Sequence, residues 1–89
     1  MSTSVQVNFD AFASLRKWPS IGGQKMAAKY PISYTVLEDS LRECLREFMS
    51  KPATHRHLYE IHTTPQEPLI SAVISAEHAA ELNGLREFL

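Results

Sequence analysis

Eighty-nine residues with a formal net charge of −1 suffice for one domain spanning 1–89 and leave little room for a second. A chain this short buries only about 60–65% of its unfolded surface, and its single cysteine, Cys44, excludes an internal disulfide framework. No apolar run approaches the roughly 20 residues that span a bilayer, and Met1 to Asp10 lacks the basic start and apolar centre of a secretory signal, so the expected location is cytoplasmic.

Val5, Val7 and Phe9 alternate with Gln6, Asn8 and Asp10, a period of two that predicts a half-buried strand at 4–9. Asp10 then caps a brief helix over 11–18, with Phe12, Leu15 and Trp18 turned inward and Pro19 ending it. Residues 19–33 read as a loop-rich connection, given the Gly22-Gly23 pair and Pro31, with at most one helical turn over 24–29.

Charge is divided unevenly around this connection. Residues 11–32 hold Arg16, Lys17, Lys25 and Lys29 and no acid, whereas 33–89 hold five basic side chains against nine acidic ones. A basic front on an acidic body suits an anionic partner, its own acidic helix, or that of a neighbouring copy; a solvated loop is the ordinary alternative. Trp18, Tyr30 and Tyr34 flank the same stretch, either as core residues or as the aromatic anchors of a binding patch. The candidate partner-binding residues are therefore Arg16, Lys17, Trp18, Lys25, Lys29, Tyr30 and Tyr34.

Leu37, Leu41, Cys44, Leu45 and Phe48 fall at i, i+4, i+7, i+8 and i+11, one apolar stripe that predicts a helix over 36–50. Thr35 with Glu38 matches a capping box at its start, Glu38 precedes Arg42 at i,i+4, and Lys51-Pro52 marks its end. Alternation in 57–63 predicts a strand with Tyr59 and Ile61 on one face and Leu58, Glu60 and His62 on the other. Thr64 to Pro68 is a loose turn, and the nearly continuous apolar run 69–74 suits a second strand covered on both faces. Ser75 caps a last helix over 76–88 with Ala79, Leu82, Leu85 and Leu89 inward, unless Asn83-Gly84 ends it early. The expected class is α+β: a small antiparallel sheet built on the 57–63/69–74 hairpin, packed against the two helices. A two-stranded hairpin is marginal alone, so strand 4–9 or a second copy should complete it.

No catalytic, cofactor or metal set assembles from these elements. His55 and His57 would share a face if the strand began at 55, but His62 has the opposite parity, and a structural zinc site needs four converging ligands. Cys44 lies in the apolar stripe, where a thiol behaves as a small hydrophobe. Glu38, Asp39, Glu43 and Glu47 line the polar side of a helix, and Gly22-Gly23 has no phosphate-loop context. Enzymatic activity is therefore not expected.

An amphipathic helix from Leu37 to Met49 leads to the strand Leu58-Tyr-Glu-Ile61, a turn, and a second strand entering Ser75-Ala-Glu-His-Ala-Ala-Glu-Leu82, with Ile32-Ser-Tyr-Thr35 upstream. Over 32–82 this order resembles the Phd/YefM antitoxins, although Thr64-Pro-Gln-Glu-Pro68 stands where that family has basic and glycine residues. The resemblance implies a dimer that binds operator DNA and a toxin; for such a DNA-binding reading the charge distribution, not the resemblance, offers Arg16, Lys17, Lys25 and Lys29 as candidate phosphate contacts. The residues themselves point first to a non-enzymatic, homodimeric module whose working surface binds protein.

Overall fold

Among the described residues, the first regular element is a strand where helical spacing was expected. In the computed structural model, which describes residues 7–22, 24–25 and 32–88, β1 runs Phe12–Lys17. Ala13 and Leu15 are fully buried, while Phe12 is 64% exposed. Phe12 and Leu15 therefore do not share a face, and the i, i+3 spacing that suggested a helix over 11–18 is incidental. Pairing on both sides decides the matter: β1 lies between β4 (Tyr34–Ser40) and β5 (Tyr59–Thr63), antiparallel to each.

Of the expected strand 4–9, residues 4–6 lie outside the described residues, and Val7 to Phe9 form no strand. Asn8 is instead pinned to a distant turn, its N–H donating to Gln66 Oε1 at 2.8 Å and its carbonyl accepting from Gln66 Nε2 at 3.0 Å. Phe9 is buried and joins the core. Within the expected loop 19–33, β2 (Ser20–Ile21) and β3 (Gln24–Lys25) form a short hairpin that turns at Gly22, whose φ of 60° is a conformation open to glycine.

The central helix is shorter than its sequence pattern. α1 spans Leu41–Met49, and Ser40 is its N-cap, its Oγ accepting from the Glu43 N–H at 3.2 Å. Ser40-Leu-Arg-Glu43 repeats the spacing of Thr35-Val-Leu-Glu38, and the second of the two starts the helix. Residues 36–40 belong to β4, from which Leu37 reaches the core that Leu41, Cys44, Leu45 and Phe48 enter from α1.

A 3-10 helix at Ala53–Leu58 delays β5 to Tyr59, held by Arg56 donating to the carbonyls of Met49 (2.9 Å) and Lys51 (3.1 Å). The expected strand 69–74 shrinks to β6 (Val73–Ile74), because Ile70 exchanges two backbone bonds with Gln66, at 2.8 and 3.0 Å. Leu69 and Val73 are exposed, so this run is covered on one face only. α2 spans Ala76–Phe88 and continues through Asn83-Gly84, where Arg86 donates to Asn83 Oδ1 at 2.9 Å. Ser75 Oγ accepts from the His78 N–H at its start; Leu89 lies outside the described residues.

The strand order is β4-β1-β5-β6, so the β5–β6 hairpin lies at one margin and the first strand near the middle. Ala13, Leu15, Ile61 and Ile74 meet Leu41, Cys44, Leu45, Phe48, Ala79 and Leu82 in one core. The fold is α+β, with two helices on one face of an antiparallel sheet. Strand alternation places Phe12, Ser14, Arg16, Glu60 and His62 on the other face.

Candidate partner-binding surface

The five described members of the basic, aromatic segment do not form one patch. Arg16 serves the fold: its Nε donates to Ser33 Oγ and its Nη1 to Thr35 Oγ1, both at 2.8 Å, and its Nη2 donates to the Ser33 carbonyl. The planar guanidinium thereby clamps the chain where it enters β4. Lys17 turns to the helix side, its Nζ 5.7 Å from the centre of the Tyr34 ring. Trp18 and Lys25 come together, with the ammonium 5.1 Å from the indole centre. Lys29 and Tyr30 lie outside the described residues.

Trp18 is half-buried and fixed at both backbone and side chain. Its N–H donates to the Leu58 carbonyl at 2.8 Å, and its indole N–H donates to Glu60 Oε1 at 2.9 Å. His62 Nε2 meets the other carboxylate oxygen. Burial alone would raise the Glu60 pKa, but the hydrogen bonds from His62 and Trp18 outweigh it and hold the carboxyl below its ordinary value.

Beside this cluster lies a cleft of about 390 Å³, lined by Lys25, His57, Tyr59, Glu60, Ser75, Ala76 and Glu77. It opens because β6 pairs with β5 only at Ile61 and His62, and the chain then leaves the sheet at Ser75 to begin α2. Lys25 thus stands in one hollow with the carboxylates of Glu60 and Glu77. Apart from Lys25, sequence reasoning did not assign this lining. Its one signal was the alternation of 57–63, which puts Glu60 and His62 opposite Ile61.

His55 and His57 lie in the 3-10 helix rather than at the start of a strand, so the two-residue spacing does not align them. Among the described residues, no three His, Cys, Asp or Glu side chains gather as a metal site would require. Cys44 is fully buried, its sulfur 4.0 Å from the Leu37 carbonyl, and burial pushes its thiol pKa up. No helix of the described residues is long and apolar enough to cross a membrane.

Compared with protein-family models, curated proteins and solved structures, the chain finds no match.

Proposed function

We propose that this chain is a small non-enzymatic interaction module of the cytoplasm, homodimeric, that holds a protein partner beside Trp18. The supporting observation is the Trp18–Lys25–Glu60 arrangement at the edge of the cleft. A tryptophan held by its own N–H bond loses little freedom when a partner covers its ring, and such anchors dominate interface energies. Lys25 on one side and Glu60 with Glu77 on the other offer both signs of charge to a polypeptide segment lying in the cleft.

The test is capture from extracts of the protein's own cell, comparing wild type, Trp18→Ala and the control Arg46→Ala on the exposed side of α1. A partner kept by wild type and Arg46→Ala but lost with Trp18→Ala supports the reading. Equal retention by Trp18→Ala removes it. Titration with duplex DNA at low salt addresses the antitoxin-like alternative. Tight binding that weakens steeply with salt would replace a protein partner with operator DNA.

A further inference from the structure

β4 is a seven-residue strand at the margin of the sheet, bonded among the described residues to β1 on one side only. Such an edge is a template for another strand. We infer that a second copy of this chain occupies it, β4 against β4, about a two-fold axis between Val36 and Leu37. This rests on the homodimer proposed above and names its seam.

The register follows from a bulge. β1 and β4 pair as Ser14 with Glu38 and Leu15 with Leu37, then shift to Arg16 with Thr35 and Lys17 with Tyr34, leaving Val36 as an extra residue. The Trp18 N–H bonds the Leu58 carbonyl, so alternation directs the backbone of Ser14 and Arg16 to β5 and that of Ala13, Leu15 and Lys17 to β4. Tyr34, Leu37 and Asp39 therefore turn their backbone groups inward, and Thr35 and Glu38 turn theirs to the open edge. The bulge also reverses the faces: Thr35 and Glu38 share the open face, and Tyr34 and Asp39 the helix face. A two-fold between Val36 and Leu37 then sets Thr35 opposite the second copy's Glu38, and Tyr34 opposite its Asp39. Hydrogen-bonding groups and faces match along the strand.

Charge selects the same register. Arg16 is bonded to Thr35, and Lys17 lies over Tyr34, so the start of β4 is flanked by two cations. Its far end carries Glu38 and Asp39, and neither makes an ion pair among the described residues. Antiparallel pairing brings Glu38 to Arg16 on one face and Asp39 to Lys17 on the other, twice per dimer. Val36, 38% exposed, is covered at the axis.

Sedimentation should show a dimer whose dissociation constant rises about tenfold with Lys17→Glu and recovers when Asp39→Lys is added. Val36→Cys should form a disulfide-linked dimer on mild oxidation, whereas Arg46→Cys on α1 should not; the native Cys44 is buried and serves as background. A dimer indifferent to the charge swap, with Val36→Cys no faster to cross-link than Arg46→Cys, overturns the β4 seam and leaves self-association standing. A monomer at high micromolar concentration overturns both.

Discussion

The indole N–H of Trp18 donates to Glu60 at 2.9 Å, tying the residue after β1 to a strand 42 positions further along the chain. The Glu60 side chain is only 16% exposed, so a lost donor is poorly replaced by water. Trp18→Phe should cost about 1–2 kcal/mol in urea unfolding. Combined with Glu60→Ala, which leaves the indole N–H no acceptor, the loss should fall short of the sum by about 1 kcal/mol, because both changes remove one bond. Strict additivity would show that the bond contributes nothing.

The same carboxylate gives stability an acid limit. Its folded pKa lies below the ordinary value, so its contribution is complete above about pH 4.3, the usual glutamate value. That contribution is lost as pH falls through the lower, folded pKa. Unfolding free energy measured from pH 6 down to 3 should decline for wild type and decline less for Glu60→Gln.

Ser40, not Thr35, closes the first turn of α1. Ser40→Ala should cost about 1 kcal/mol of stability and Ser40→Asp should restore most of it, read as thermal melting midpoints. Thr35→Ala removes only a bond from Arg16, which keeps two others to Ser33, and should cost less.

Two phenylalanines should separate core from surface. Phe48 is fully buried and Phe12 is 64% exposed. Phe48→Ala should cost about 3–5 kcal/mol, enough to unfold much of a domain this small, whereas Phe12→Ala should fall within about 0.5 kcal/mol of wild type. Cys44 reports the same interior: its thiol should resist a disulfide reagent in the native protein and react fully in urea.

The helical parts were legible because their spacing is unambiguous. Leu41, Cys44, Leu45 and Phe48 make a stripe no strand would use, and Ser75 begins α2 as its chemistry suggests. The strands were less so. β1 contributes only Ala13 and Leu15 to the core, too little alternation to outweigh the accidental Phe12–Leu15–Trp18 spacing. Leu37 extended the α1 stripe backwards from a strand, and the Thr35–Glu38 capping spacing set the expected start of the helix at 36, five residues ahead of Leu41. The cleft was hidden because its walls come from β3, the 3-10 helix, β5 and α2, which only tertiary structure brings together.

The place of β1 in the strand order sets how the molecule is assembled during synthesis. The middle of the sheet is made first and its two flanks much later, since Phe12 waits for Ser40 and Ala13 for Thr63. Acquisition of the native state should therefore be governed by closure of long stretches of polypeptide, a slower route than zipping neighbouring hairpins. A nascent chain halted before Tyr59 leaves one side of β1 with unpaired amides and carbonyls, open to the wrong neighbour until the ribosome has moved on.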